Sequence, residues 1–532
     1  MSNYDVAIIG SGAGGGALAY SLSKAGFNVI IIEKGDFISR DNFTKDELAY
    51  CRRDIVTPSL KDEYHIIEEY IDNKWQLNST KNLNSSFWNG NIVGGSSNFM
   101  SGMFHKLAPD DFRLKDRYKD IKNANIENWV ISYKDLEPYY QEAKELVGIT
   151  TDTKESSFVR LLDKVAKNEN IDISKTPRAI LSKSLNDRDG CYYSNFCGSY
   201  GCSSGAKGSS LEAFITPAIK NYGLKLIYNS HVKKLISSKT NISSALVIDT
   251  KTGLEFKIQA KIFVVSAQAH ESVRLLFNSA NSFYPNGLAN SSGELGKNLI
   301  FSAGGYGLVE FEKSKLDKEF LPKYYEKGYF INRSIKEWIE IDNMKGAMIE
   351  FMFEHANPIA KAIKSKYDED NNLIWGQKLV DNLKYKFNDI VTLRYEIFAD
   401  WLPNNKCYIS VDKNSLDKYG MPVGKLKIYS HPHNLKIAKI VDKKLNLFFK
   451  KMNASKIYSK INSSAPQNLI AGGCRFGDNP QKSVLNSYCQ THDIKNLFVV
   501  DASFMPTGGS IPYTWTIYAN ALRIADYIKQ IV

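Results

Sequence analysis

The run Asp5-Val6-Ala7-Ile8-Ile9-Gly10-Ser11-Gly12-Ala13-Gly14-Gly15, followed by an acid at Glu33, has the residue types and spacing of a dinucleotide-binding turn. Gly10 permits the tight turn and Gly12 lets the backbone approach a pyrophosphate. Gly14 shares the loop, and Gly15 lets helix and strand pack closely. Glu33 can hold a ribose 2′-hydroxyl, and the helix N-terminus offers unpaired N–H groups to phosphates. A second chemically capable group is the loop containing Cys191, Cys197 and Cys202. The other cysteines are Cys51, Cys407, Cys474 and Cys489. An odd total with three in one stretch argues against a disulfide framework and for reduced thiols or a local cluster.

A short apolar strand enters the glycine turn and an Ala/Leu-rich helix leaves it. A second apolar strand, Val29-Ile30-Ile31-Ile32, then delivers Glu33. The polar stretch after Phe37 predicts a lid or excursion over 37–87. A glycine-serine loop follows at Val93-Gly94-Gly95-Ser96-Ser97-Asn98, and Ser132-Tyr133-Lys134-Asp135 has the form of a capped helix start. Runs at 224–228, 244–248 and 256–258 lead into a fourth at 261–265, predicting an antiparallel crossover that returns to a parallel sheet. Residues 300–460 alternate aromatic strands with lysine-rich helical stretches, the pattern of a substrate-facing domain. The last strand ends on Asp501 and leads through a Pro506 to Pro512 turn into a helix with Tyr518, Ala521, Leu522, Ala525 and Ile528 on one face. That order suggests that the final segment returns to the cofactor opened by the first.

At 532 residues the chain is long enough for two or more cores, and its 43% hydrophobic and 24% charged composition is that of a globular enzyme. The net charge of +12 is spread through lysine-rich stretches without one dense block. A solvated lysine surface is therefore expected, with no nucleic-acid partner; an acidic membrane surface or redox partner stays open. No transmembrane segment is expected, since no uninterrupted apolar stretch approaches the length of a span. The chain starts directly on the fingerprint strand, which predicts a cytoplasmic location unless a partner subunit carries it to export or to a membrane.

Five blocks in order resemble the glucose-methanol-choline (GMC) family of FAD-dependent oxidoreductases: Gly10 to Glu33; Val93 to Ser97; Val264-Val265-Ser266-Ala267 through Arg274-Leu275-Leu276; Gly472-Gly473-Cys474-Arg475-Phe476-Gly477; and Asn496 to Thr507. Pro109-Asp110-Asp111-Phe112 and the stretch from Trp129 to Tyr140 resemble its bacterial gluconate and sugar dehydrogenase branch. The resemblance implies an α/β fold with a discontinuous, doubly wound FAD domain (1–36, 88–105, 205–300 and 465–532). A substrate domain with a mainly antiparallel sheet would occupy 106–204 and 301–464. It implies FAD and hydride transfer to flavin N5 from the CH–OH group of a sugar, sugar acid or other alcohol. By position, Gly94, Gly95, Ser96 and Asn98 would border the isoalloxazine and Val232 the adenine. Asp501 would lie near the ribityl and pyrophosphate groups, with Ala267 and Ala502 in the same cofactor-binding set. Tyr513 and Thr514 would meet the pyrimidine edge, where a helix N-terminus opposes developing negative charge. Relatives with a covalent link use a His at or just after the glycine-serine loop; here those places hold Asn98, Phe99 and Met100, so dissociable FAD is expected.

The resemblance breaks at the base. The family's catalytic His falls on Leu469 or Ile470, and its second His or Asn on Ile511; no alkyl side chain accepts a proton. Three readings remain. Tyr513, the single catalytic assignment, would need activation from an ordinary pKa of ~10. A residue could instead enter from the substrate domain, with His105, His355, His431 and His433 as candidates; His270 reads as a buried structural group. In the third reading the protein keeps FAD but performs lyase-like chemistry or none. The cysteine loop resembles, with an altered second gap, a stretch that holds a three-iron cluster in some sugar dehydrogenases of the family. No other metal site is expected. A cluster would imply a small subunit and a cytochrome or quinone acceptor. A nicotinamide-dependent reductase built on the same first unit is the further alternative, disfavoured by the C-terminal return.

Overall fold

The computed structural model describes all residues except 1–3, 49–60, 83–89, 119–120, 199, 369 and 462–468. Cys51 and parts of the 37–87 stretch therefore lie outside the described residues.

Both ends of the chain meet in one parallel sheet, ordered Leu497–Val499, Ala260–Val265, Tyr4–Ile9, Val29–Ile32, Lys225–Ile227. Its central strands are continuous apolar runs because helices cover both faces. Val6 to Ile9 and Ile30 to Ile32 are almost completely buried. The first helix, Ala13–Lys24, lies against the C-terminal helix Thr514–Ile531. Pairing Val264 with both Ile8 and Phe498 puts the turn after Ile9 beside the segment that carries Asp501.

The second layer is a six-stranded sheet ordered Lys456–Ile461, Gly305–Glu312, Ile390–Ala399, Ala347–Phe353, Arg333–Ile335, Ile173–Lys175, every pairing antiparallel. One face packs on the helix Pro432–Lys451 through Tyr395, Phe351, Phe448 and Phe449. The opposite face turns toward the parallel sheet, so the α/β architecture with a discontinuous cofactor domain is as expected.

Three local readings change. The run at 224–228 supplies the edge of the parallel sheet, and the antiparallel unit is instead Ser230–Ser237, Ile242–Asp249 and Glu255–Ile258. Ser230–Ser237 escaped notice because two register shifts break its alternation. Within 37–87, Ile66–Ile71 and Lys74–Ser79 form a hairpin that pairs with Pro422–Ile428, so this stretch is built into a four-stranded sheet. Its strands are solvated on one side and only Ile67 is buried, which leaves little apolar signal. The 106–204 stretch divides: Val159–Asn168 and Ile173–Lys175 join the antiparallel layer, whereas Tyr133–Val147 packs on the C-terminal helix. There Tyr140 hydrogen-bonds Thr516 at 2.8 Å and the Trp515 indole donates to the Tyr140 carbonyl at 3.0 Å. The capping box at Ser132 and Asp135 starts that helix as predicted.

Candidate active site

The glycine turn is shaped by contacts that only glycine tolerates. Gly10 has φ +95°, and a Cβ on Gly14 or Gly15 would collide with the carbonyl oxygens of Val500 and Gly10 respectively. Gly12 differs: a Cβ there would meet nothing within 4 Å, because it faces open space at the N-terminus of the first helix. Glu33 accepts from the Ser11 amide at 3.0 Å, the Ser11 hydroxyl at 2.5 Å and the Gly35 amide at 2.8 Å, which fixes the carboxylate at the cavity wall. Each oxygen keeps lone-pair capacity for a hydroxyl donor.

From this turn one cavity runs through the molecule, with about 2090 Å³ of unfilled space including its mouth. Of the residues proposed to bind cofactor, Gly10, Gly12, Gly14, Glu33, Gly95, Ser96, Val232, Ala267, Asp501, Ala502, Tyr513 and Thr514 line it. Gly15, Gly94 and Asn98 stand behind the wall. The Gly94 amide donates to Ser11 Oγ at 2.9 Å, and the Asn98 side chain donates to the carbonyls of Val93 and Gly95 at 2.9 and 3.1 Å, fixing the loop. Asp501 is held by Ser503 at 2.5 Å and by the Ser272 hydroxyl. Burial raises its pKa against these hydrogen bonds.

The cradle fits a dinucleotide. It has an open helix N-terminus, an acid 23 positions after Gly10, and a buried Ser266 hydroxyl with no hydrogen-bond partner among the described residues beside the turn. FAD bound here would lie with its phosphates at Gly12 to Gly14 and its sugar at Glu33.

Beside Val232, the largely buried Glu271 accepts from His65 at 2.9 Å and from Arg274 at 3.3 Å, and Arg274 also pairs Asp417 at 2.6 Å. Although burial opposes ionisation, the charges of Arg274 and His65 hold the Glu271 carboxyl well below its ordinary 4.5. A depressed carboxylate adds stability that is present above about pH 4.5 and is lost as the pH falls through its folded value. Glu271→Gln should lower the unfolding free energy at neutral pH by about 2 kcal/mol, because it removes the buried anion shared by Arg274 and His65 and leaves Arg274 only its pairing with Asp417. Denaturant titration should show the difference between variant and native protein shrinking as the pH falls below that range. His270, at the same corner, is buried and depressed to about 3 by burial, which suits the structural role expected of it.

At the other end the cavity is closed by Met100, Ser101, Met103 and Phe104 on one side and by the antiparallel sheet on the other. On Ile390–Ala399, alternation sends Leu393, Tyr395 and Ile397 into the core and Arg394, Glu396 and Phe398 to the cavity. Arg394 donates to Glu396 at 2.8 Å. These residues escaped sequence reading; the alternation of charged and apolar side chains along the strand was the available signal.

The histidine candidates now separate. His105 is buried against Glu350. His431 caps its helix and donates to the Lys122 carbonyl at 3.0 Å, and His433 donates to the Lys345 carbonyl at 3.1 Å. His355 lines the cavity, with Nε2 at 3.4 Å from the Ser101 hydroxyl. Tyr513 is a poor proton acceptor. Its hydroxyl donates to the Leu469 carbonyl, and burial, reinforced by the charge of Asp400, raises its pKa well above 10. Leu469, Ile470 and Ile511 stay aliphatic and buried or nearly so.

Cys191, Cys197 and Cys202 are half-buried free thiols around Ile180, Leu181 and Phe330. Burial and then the neighbouring Cys197 push Cys191 to about 12. Burial raises the Cys202 pKa, but the Lys207 ammonium, the hydrogen bonds from Ser204 and the Lys207 amide, and the charge of Lys45 together outweigh it and lower the pKa below its ordinary value. Lys207 donates to the carbonyls of Asn98 at 2.9 Å and Cys197 at 2.7 Å, tying this loop to the glycine-serine loop.

Two family models describing GMC oxidoreductases match residues 13–301 and 403–521. The 2-methyl-1,2-propanediol dehydrogenase of Mycolicibacterium austroafricanum is 25% identical, over 99% of this chain and 95% of its own length. The fructose dehydrogenase large subunit of Gluconobacter japonicus is 24% identical, over 98% and 97%. Among solved structures, a formate oxidase variant from Aspergillus oryzae superposes with a TM-score of 0.66 at 15% identity, covering 100% of this chain and 98% of that one. Pyridoxine 4-oxidase from Mesorbium loti gives 0.63 at 16% identity, covering 99% of both. The chain belongs to the GMC oxidoreductase family, FAD-binding enzymes that act on the CH–OH groups of alcohols and sugars.

Proposed function

We propose that this protein oxidises the CH–OH group of a sugar, sugar acid or other small alcohol, with dissociable FAD as the hydride acceptor at N5. The observation that carries this reading is the single cavity joining the glycine cradle to the polar face of the antiparallel sheet. Bound FAD would supply the two-electron oxidant. The chain's own residues do the rest. Gly12 to Gly14 and the first helix bind phosphate, Glu33 a ribose hydroxyl, and the N-terminus of Thr514–Ile531 places positive potential at the cavity wall.

His355 accepts the hydroxyl proton at Nε2, and Arg394 with Glu396 offers an adjacent donor and acceptor that orient neighbouring hydroxyls. Asn98, Phe99 and Met100 provide no linkage to a flavin, so acid precipitation should leave the yellow colour in the supernatant. The resemblance of the Cys191, Cys197 and Cys202 loop to a cluster-bearing stretch favours a dehydrogenase with a cytochrome or quinone acceptor, reached through a small subunit, over an oxidase. Iron bound in proportion to protein would support that acceptor class; iron-free active enzyme would count against it.

Anaerobic addition of a polyol panel to the yellow protein should bleach the flavin band with at least one member. Oxidised flavin persisting throughout the panel would overturn the reading. Tyr513→Phe removes only the hydrogen bond to Leu469, so reduction should slow by less than about tenfold. A larger loss with unchanged flavin affinity would return the proton to Tyr513.

A further inference from the structure

His355 stands in a stretch without regular structure, 354–357, between the strand Ala347–Phe353 and the helix Pro358–Lys364. A proton acceptor must hold its nitrogen within about 3 Å of the hydroxyl it serves, and backbone of this kind does not fix an imidazole by itself. The cysteine loop grips it. The Asn195 side chain donates to the Glu354 carbonyl at 3.0 Å, and the Ala356 amide donates to the Asn195 carbonyl at 2.9 Å. The Tyr200 hydroxyl donates to Asn357 Oδ1 at 2.9 Å. Hydrogen bonds to one loop therefore bracket His355 on both sides along the chain.

Gly198 completes the grip. Its backbone lies so close to the imidazole that a Cβ there would stand 2.3 Å from His355 Nε2, 2.6 Å from Cδ2 and 2.9 Å from Cε1. Gly198 is not one of the glycines with a left-handed φ, so the histidine ring, and not the local backbone, calls for a residue without a side chain. Both residues line the cavity, and the same Nε2 is 3.4 Å from the Ser101 hydroxyl.

The loop is itself held. Tyr193 and Asn195 adopt φ of +56° and +62°, a region that an aromatic residue keeps only where its surroundings impose it. The Tyr193 ring packs on Phe330 with centroids 5.5 Å apart, and Cys191, Cys197 and Cys202 sit on the same apolar cluster. The buried Lys207 ammonium donates to the carbonyls of Cys197 at 2.7 Å, Tyr200 at 2.8 Å and Asn98 at 2.9 Å. One cation thus joins the loop that touches His355 to the glycine-serine loop beside the cofactor cradle.

We infer that the cysteine loop positions the proton acceptor, with Gly198 and Asn195 setting where the His355 ring sits. The inference rests on the assignment of the hydroxyl proton to His355. It gives the loop a part in the oxidation that is separate from anything its thiols carry.

The test is anaerobic stopped-flow reduction of the FAD-loaded protein by an alcohol that bleaches the native flavin. Gly198→Ala should slow reduction about ten- to a hundredfold, the cost of moving a reacting group by about 1 Å. The half-saturating alcohol concentration should change by less than about threefold, because the methyl displaces the base and leaves Arg394 and Glu396 in place. Flavin affinity and thermal unfolding should hold. His355→Ala removes the ring that the methyl would meet, so adding Gly198→Ala to it should cost less than about twofold more. Asn195→Asp keeps the size of the side chain but sets an acceptor against the Glu354 carbonyl, and it should slow reduction about tenfold with flavin still bound. That variant carries the test where Gly198→Ala yields no folded protein. A native rate for Gly198→Ala beside a slow His355→Gln would overturn the inference and leave the base in place. Equal slowing by Gly198→Ala with and without the His355 ring would also overturn it, since the loss would then run through the fold. Full activity of His355→Gln would remove the base assignment and the inference with it.

Discussion

Changing His355 to glutamine should slow anaerobic flavin reduction by alcohol about 10²- to 10⁴-fold, the usual worth of a positioned general base. Flavin affinity should hold, because His355 lines the cavity together with Ser101 and the Arg394 strand while the glycine cradle forms its other end. The family's own position offers no substitute: Leu469 and Ile470 are aliphatic, and the carbonyl of Leu469 is engaged by Tyr513. The three remaining histidine candidates are held by Glu350 or by backbone carbonyls, and His270 sits in the Glu271 corner. A His355→Ala variant should recover part of its rate on adding imidazole, which a purely structural side chain would not permit. Full activity of His355→Gln would remove His355 from the chemistry and leave the hydroxyl proton to another cavity group, Glu396 first.

Gly12→Ala and Gly14→Ala should separate cofactor binding from folding. A methyl at Gly12 enters open space in the empty protein, so unfolding of the apoprotein should shift little. The same methyl fills the approach to the first helix's N-terminus and should weaken FAD binding by about ten- to a hundredfold, the effect of overpacking by a methylene or two. At Gly14 the methyl meets the Val500 carbonyl and lies 2.7 Å from Ser266 Oγ. It forces the first helix away from the segment between the strand Leu497–Val499 and Asp501, so apoprotein stability should fall by about 1–3 kcal/mol along with flavin affinity. Isothermal titration with FAD and denaturant unfolding of the apoproteins measure both quantities. Equal behaviour of the two variants would contradict the geometry of the turn.

Some of this could be read from residues alone because the signals are local. The Gly10 to Glu33 unit requires strand, turn, helix and strand in immediate succession, and Asp501 ends an apolar run with its own turn and helix. The proposed base, His355, was one of four histidine candidates in the sequence and could not be singled out there, since it owes its place to a strand end and a loop meeting across 254 positions of chain, at Ser101. Arg394 and Glu396 were missed for a related reason. A strand with charged residues on alternate positions reads as solvated on that face, and only the parallel sheet opposite turns solvent into cavity. The hairpin at 66–79 left almost no apolar trace because its partner, Pro422–Ile428, is more than 340 residues away.

By itself, then, the order of amino acids determined the cofactor class, the α/β plan and the convergence of both termini, because glycine conformation and strand hydrophobicity act within a few residues. Tertiary structure decided which of the histidine candidates faces the cavity and which tyrosine hydroxyl is already engaged. Those outcomes depend on burial and on contacts between distant segments, and burial is a property of the folded whole.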